Sequence, residues 1–220
     1  AEKLLGDLSP NEQAVHAEPP IPRVRSRRRQ FERDAEQVHL CCGTRAYSAE
    51  DPRRFAAWLL DSILTGGYSS RLFQEVREKR GLCYNIGPMS VSYRKTGFWA
   101  VETSVAPQQA RRVTDLIGRE LRKVKTKGVG KAELKRAQEM SRINLLLSEE
   151  SSSAQMNRIA RNELYYGRQR SPQEVLECFL RVTPDEIGAV ANDIFQAETM
   201  NIAAVGPFPK GAAPLAVDVG

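Results

Sequence analysis

The alternation of apolar and polar residues along the chain predicts five β-strands. The predicted strands cover residues 27–33, 37–42, 83–93, 97–105 and 199–205. In the fourth of these, Trp99 and Val101 share one face, and the short turn 94–96 joins it to the preceding strand. This pattern predicts a hairpin with one covered face. The first strand is polar apart from Phe31, which is typical of a sheet edge.

Apolar residues spaced three or four apart, together with Pro and Gly signals, predict the helices. They cover residues 51–64, 71–80, 107–127, 131–166 with a bend near 148–153, and two segments that open at Ser171-Pro172 and Thr183-Pro184. In the last two, Glu174 and Glu186 follow the Ser and the Thr by three residues, which is the spacing of a capping box. Runs of like elements indicate an α+β fold, a mixed, largely antiparallel sheet with helices packed on one face.

The helix at 51–64 is expected to be mostly buried. Asp51-Pro52 offers an acidic N-cap followed by a first-turn Pro. Phe55, Trp58 and Leu59 lie on one face, and few polar side chains lie on the others. We therefore expect Trp58 to face the core.

Proline content divides the chain into three parts. Four prolines lie within residues 9–22, which have no apolar periodicity, and this is typical of a stiff linker. We assign residues 1–22 to the end of a preceding domain and a Pro-rich linker, 23–207 to the α+β domain and 208–220 to a C-terminal tail. Because the chain begins at Ala1 rather than Met, we expect a processed protein or a piece of a longer one.

The composition is that of an ordinary folded domain. Of 220 residues, 41% are hydrophobic and 27% are charged, which excludes general disorder. The 15 Gly and 12 Pro follow no period, which excludes a collagen-like chain. No apolar run approaches the roughly 18 residues that a membrane-spanning helix needs, so no membrane partner is expected.

The formal net charge is +6, and six arginines lie between residues 23 and 33. Such a cluster suits an acidic partner, for example a nucleic acid, an anionic surface or an acidic peptide. The other interpretation is a solvated strand edge. The chain has no recognised nucleic-acid-binding motif and only 7% aromatic residues, so a nucleic-acid-binding module is the less favoured alternative.

The histidines and cysteines offer little metal or nucleophile chemistry. The four cysteines are Cys41, Cys42, Cys83 and Cys178, and their spacing forms no disulfide framework. The only histidines are His16 and His39, and neither H-E-x-x-H nor H-x-x-E-H occurs. His39 has ligand-type neighbours, but strand alternation places the two adjacent cysteines on opposite faces. We therefore predict no metal site in this chain.

The segment 65–86, TGGYSSRLFQEVREKRGLCYNI, carries the candidate chemistry. It combines a helix end, a tight turn, a basic helix stopped by Gly81, and a strand start. Arg77 and Tyr84 can converge on one cleft from the helix end and the strand start. A guanidinium that binds a carbonyl and a phenol that donates to an oxyanion are groups that acyl transfer uses. The alternative is a solvated Arg and an interface Tyr.

Gly66 and Gly67 precede the N-terminus of the predicted helix at 71–80. Free N–H groups at such a position can hold an anion or a substrate carbonyl, so both glycines are candidate substrate-binding residues. The alternative is an ordinary turn between two helices.

The same segment resembles the C-terminal half of the pitrilysin/insulinase-type zinc peptidases, in the branch of bacterial processing-peptidase-like proteins. It matches the pattern G-G-x-x-S-R-L-F-x-x-[IV]-R-E-[KR]-x-G-L-x-Y without a gap. Further similar segments occur in the same order along the chain. They are Glu36 to Leu40, Ser92 to Phe98, Met156 to Gly167, and Ala203 to Pro207. The similarity covers nearly the whole chain.

This resemblance implies two related α+β halves that close around a chamber. The N-terminal half would carry the inverted H-x-x-E-H motif and bind zinc, and the C-terminal half would supply an Arg and a Tyr seven positions apart. Arg77 and Tyr84 have that spacing and are the implied catalytic contacts. Gly66 and Gly67 resemble a short form of a glycine-rich substrate loop, although Thr65 and Tyr68 depart from its usual Gly and Met.

The favoured interpretation is the substrate-binding C-terminal half of a zinc metalloendopeptidase, which is not hydrolytic alone. The implied cofactor is zinc, held by an N-terminal half or a companion subunit, and the implied substrate is an extended peptide bound partly by strand addition. A homodimer is a further possible assembly. The alternative within the same fold is a non-catalytic scaffold or partner subunit.

Overall fold

The computed structural model describes residues 21, 23–208 and 211–220, and its centre is a six-stranded sheet. The strands are β1 (Arg28–Glu32), β2 (Val38–Ala46), β3 (Cys83–Pro88), β4 (Val91–Ser92), β5 (Gly97–Val105) and β6 (Asn201–Gly206). The spatial order is β1-β6-β2-β5-β3, and β4 also pairs with β5. Only the β1–β6 pair is parallel among these strands. The sheet is therefore mixed and largely antiparallel, as predicted, with β1 and β3 at its edges.

Helices account for most of the remaining described chain. They are α1 (Arg54–Thr65), α2 (Ala110–Lys127), α3 (Lys131–Glu149), α4 (Ser152–Tyr166), α5 (Pro172–Leu180) and α6 (Pro184–Ile194). A π-helix at Phe73–Glu78 and a 3₁₀ turn at Pro107–Gln109 complete the list. Among the helices of the described residues, none combines the length and apolarity that crossing a bilayer requires.

The helices cover one face of the sheet. Along β2, Val38, Leu40 and Cys42 are buried in the core, whereas His39 is exposed and Cys41 is half-buried on the opposite face. The predicted apolar stripe of α2 is buried throughout (Ala110, Val113, Ile117, Leu121 and Val124). These observations confirm the predicted α+β class with one helical layer.

Local signals in the sequence fix the ends of α5 and α6. Ser171 and Thr183 accept hydrogen bonds from the backbone N–H groups of Glu174 and Glu186, at 3.1 and 3.3 Å. The two glutamates accept in return from the backbone N–H groups of the cap residues. Both capping boxes are therefore confirmed.

Several predicted boundaries are wrong. Helix α1 begins at Arg54, and Asp51 precedes it, where its carboxylate accepts from the backbone N–H of Arg53 at 2.9 Å. The predicted helix at 131–166 is two helices, α3 and α4, rather than one bent helix. Trp58 is 55% exposed because α1 packs against the core through the adjacent stripe, which contains Leu59 and Ile63.

The segment 211–220, assigned from the sequence to a tail, belongs to the core. Leu215, Val217 and Val219 are buried. The Lys125 Nζ donates to the Val219 carbonyl at 2.8 Å, so the segment is tied to α2. The assignment of residues 1–20 and 22 to a preceding domain and linker lies outside the described residues.

Asp61 of α1 makes the stability of the folded state depend on pH. Burial raises the pKa of this carboxyl to about 6, partly opposed by a 3.0 Å hydrogen bond from the Thr65 hydroxyl. Since the unfolded carboxyl ionises near its usual ~4, the folded state loses stability as pH rises from about 4 to about 6. We expect Asp61→Asn to raise the melting temperature at pH 8 and leave it unchanged at pH 4. Differential scanning calorimetry measures both melting temperatures, and an equal change in melting temperature at pH 8 and pH 4 would contradict this expectation.

Candidate functional site

The π-helix Phe73–Glu78 positions Arg77. Phe73 and Val76 are buried, which anchors the segment to the core, and the backbone N–H of Lys79 donates to the Gln74 carbonyl, a spacing of five residues. The sequence predicted an ordinary helix here. Single π-turns occur often at functional sites. Gly81 then adopts a φ of +60°, which lets the chain reverse into β3 as predicted.

Tyr84 lies at an irregularity in β3. The pairing of β3 with β5 changes register between Cys83 and Ile86, so Tyr84 and Asn85 are both exposed. The Tyr84 side chain is 83% exposed, which leaves its phenol accessible from solvent.

Arg77 and Tyr84 are brought together. The Cζ atom of Arg77 lies 5.1 Å from the ring centroid of Tyr84 and 4.8 Å from that of Phe73. Stacking on two rings orients the guanidinium. Among the described residues, its one ion pair is a weak contact of Arg77 Nε with the Glu78 carboxylate, 4.0 Å away.

Gly66 borders a different cavity from the one beside Tyr84. Gly66 lines a cavity of about 510 Å³ with Ser70 and Glu133, and neither Arg77 nor Tyr84 borders it. Gly67 has a φ of +97°, so the turn itself accounts for a glycine there. A substrate-binding role for the two glycines stays a prediction.

The turn after the glycines nevertheless contacts the Arg77 segment. The ring of Tyr68 meets that of Phe73 edge-on at 5.1 Å, and Gln74 Nε2 donates to the Tyr68 carbonyl at 2.7 Å. Tyr68, Phe73, Arg77 and Tyr84 therefore form a continuous row of stacked side chains.

A groove of about 570 Å³ runs beside Tyr84 on the uncovered face of the sheet. We call it the sheet groove. Its polar lining includes His39, Glu102 and Ser104, and His39 Nδ1 lies 2.8 Å from the Ser104 hydroxyl. Sequence reasoning missed this groove. The outward positions of β2 and β5 were visible in the alternation, but the register that aligns them was not.

Comparison with known proteins identifies the family of this chain. A family model described as the peptidase M16 inactive domain matches residues 1–141. The chain belongs to this family.

Relatives of the M16 inactive domain carry zinc-protease names. An uncharacterized zinc protease of Streptomyces coelicolor is 36% identical over 80% of this chain and 38% of its own length. One from Bacillus subtilis is 28% identical over 94% of this chain and 50% of its own. The chain thus spans about 40–50% of these relatives.

Solved structures share the fold at low identity. A peptidase M16 inactive domain from Pseudomonas fluorescens superposes with a TM-score of 0.76 at 22% identity, covering 86% of this chain and 46% of that one. A protease from Helicobacter pylori gives 0.80 at 19% identity, covering 94% and 50%. At these identities the likeness concerns the fold alone.

Two thiols of this M16 domain, Cys41 and Cys83, are poor nucleophiles and metal ligands. Burial, and to a lesser degree the Glu102 carboxylate, raises the pKa of Cys41 in the sheet groove. Burial also raises the pKa of Cys83, partly offset by Thr103 and Arg77. Both thiols are therefore protonated at neutral pH. Within the part of the chain that the structure describes, no His, Cys, Asp and Glu cluster fits a metal ion.

Proposed function

We propose that this M16 domain is the substrate-binding C-terminal half of a zinc metalloendopeptidase. It would complete the active site of an N-terminal H-x-x-E-H half, either on the same encoded chain or on a companion subunit. The observation that carries the proposal is the contact between Arg77 and the exposed Tyr84, which lines the sheet groove.

The chemistry of this pair suits the hydrolysis of a peptide bond. Stacking holds the Arg77 guanidinium in place, so it can donate to a substrate carbonyl without reorganising. The Tyr84 hydroxyl can donate to the oxygen that becomes negative when water adds to that carbonyl. Zinc, when bound by the other half, would polarise the carbonyl and activate the water. The described residues of this chain do not fit zinc themselves.

The sheet offers a second contact to an extended peptide. Strand β3, which carries Tyr84, is an edge of the sheet, so its outer backbone groups can pair with an added strand. A peptide in that position would lie beside the sheet groove, where Glu102 is the acidic side chain of the lining. Main-chain pairing would then hold the peptide while Arg77 and Tyr84 contact one carbonyl.

Reconstitution tests the proposal. After a chelator wash, the purified 220-residue chain is expected to hold no stoichiometric zinc and to hydrolyse no peptide. Mixing it with a separately purified H-x-x-E-H half is expected to produce zinc-dependent hydrolysis, measured with a fluorogenic peptide library and by metal analysis. One tightly bound zinc per isolated chain would contradict the assignment. A complex that forms but stays inactive would favour the scaffold alternative.

A further inference from the structure

A cavity of about 560 Å³ lies between α1, β5 and α4, away from Arg77 and Tyr84. We call it the α4 cavity. Its volume is within the range of small-molecule sites, and its walls are mainly apolar. The large apolar side chains that line it are Phe55, Trp58, Phe98, Trp99, Leu145 and Phe179.

Helix α4 forms one wall of this cavity instead of packing on the core. Among its fifteen residues, only Asn162 is buried. The residues that line the cavity are Ala154, Asn157, Arg158, Arg161 and Asn162, which recur at the spacing of a single helix face. The face that an ordinary helix would bury is thus mostly polar and lines the α4 cavity.

One end of the α4 cavity concentrates positive charge around Tyr166. The Cζ atom of Arg170 lies 4.4 Å from the Tyr166 ring centroid, and that of Arg54 lies 5.2 Å from it. Arg54 donates to the Ala49 carbonyl and to the Tyr166 hydroxyl, which are both uncharged. Neither guanidinium has a carboxylate within 4.0 Å among the described residues, and the Glu174 carboxylate interacts with Arg170 only over a longer distance.

Two side-chain donors at the same end of the α4 cavity have no hydrogen-bond acceptor among the described residues. The Nε atoms of Arg158 and Arg170 are buried and have no acceptor in the described chain. Burial is also the main reason why the pKa of Arg54 is lowered; Tyr166 opposes this effect and the nearby Arg170 guanidinium adds to it. Buried guanidinium groups are normally paired with an anion. Arg158 has such a partner, since its Nη2 lies 3.4 Å from a Glu149 carboxylate oxygen, whereas no carboxylate of the described residues lies within ion-pairing distance of Arg54 or Arg170.

We propose that the α4 cavity binds an amphipathic carboxylate, with its head group on Arg54 and Arg170 and its apolar body against Trp58 and Trp99. The acidic side chain of the lining, Asp61, lies seven residues along α1 from Arg54, which is about 10 Å of helix. Its carboxyl group is hydrogen-bonded by Thr65 and leaves the arginine end to the ligand.

Tryptophan fluorescence tests this site directly. Trp58 and Trp99 are the only tryptophans of the chain, and both line the α4 cavity. Titrating the 220-residue chain with decanoate, below its micelle-forming concentration, is expected to give a saturable change in emission. The uncharged analogue 1-decanol is expected to bind about tenfold or more weakly, because it offers no anion to the arginines. No saturable change, or equal binding of the two probes, would overturn the proposal.

Three variants locate the site. Arg170→Gln is expected to weaken decanoate binding about tenfold. Arg181→Gln is the matched control, since Arg181 is exposed, pairs with Glu177 and does not border the cavity. Ala154→Phe fills the cavity from α4 and is expected to abolish binding while every arginine remains. Unchanged binding in Arg170→Gln or Ala154→Phe, with native circular dichroism, would place the ligand elsewhere.

Discussion

Arg77→Ala and Tyr84→Phe are each expected to lower kcat/KM by about 10²–10³ when this domain is assembled with the zinc-bearing half. This is the scale of losing one preorganised donor to an oxyanion. Tyr84→Phe removes only the phenolic oxygen, and the ring that stacks on Arg77 remains. Tyr84 is so exposed that the change should leave the fold intact. The measurement is steady-state hydrolysis of a peptide substrate by the reconstituted enzyme.

The partition between kcat and KM distinguishes the roles of the two side chains. If the Tyr84 phenol donates only to the transition state, its loss should lower kcat and leave KM nearly unchanged. If Arg77 also contacts the substrate in the ground state, its loss should raise KM. Arg112→Ala and Tyr93→Phe are the controls, because both residues are exposed and neither borders the sheet groove. Unchanged turnover in both Arg77→Ala and Tyr84→Phe would contradict the proposed roles.

The parts of this fold that the sequence predicts well are set by local physics. The capping boxes at Ser171 and Thr183 need only residues within the same turn, and both are present. Strand alternation depends only on the period of two, so the inward and outward positions of β2 and β5 were predictable. The stop at Gly81 likewise follows from its own conformation.

The parts that were mispredicted depend on long-range packing. Trp58 lies on an apolar helix, but the neighbouring elements decide which stripe is covered. The segment 211–220 lacks any strong pattern, yet it is held by α2 and by Gln30 of β1, which accepts from the Leu215 N–H at 2.6 Å. The contact between Arg77 and Tyr84 lies between these two cases in how well the sequence predicts it. Only a short segment joins the two residues, and the turn at Gly81 sets their relative direction.

The packing of residues 211–220 against α2 explains why α2 contains a glycine. Gly118 is buried in α2, and a Cβ atom at that position would lie 2.4 Å from the Asp218 carbonyl oxygen. All three nearest atoms belong to the Asp218 backbone, so no side-chain rotation can relieve the clash. Gly188 of α6 is the contrasting helical glycine, because a Cβ atom there would meet no atom within 4 Å.

Gly118→Ala and Gly188→Ala are therefore expected to change stability in opposite directions. Gly188→Ala should raise the free energy of unfolding by about 0.5–1 kcal/mol, the usual gain in helix propensity. Gly118→Ala brings the same gain but forces 211–220 away from α2, so a net loss of about 1–3 kcal/mol is expected. Urea unfolding of the two variants measures both. A chain shortened to end at Phe208 lacks Asp218, so Gly118→Ala should raise its free energy of unfolding. If Gly118→Ala still lowers the free energy of unfolding of the shortened chain, residues 211–220 are not the cause of the destabilisation.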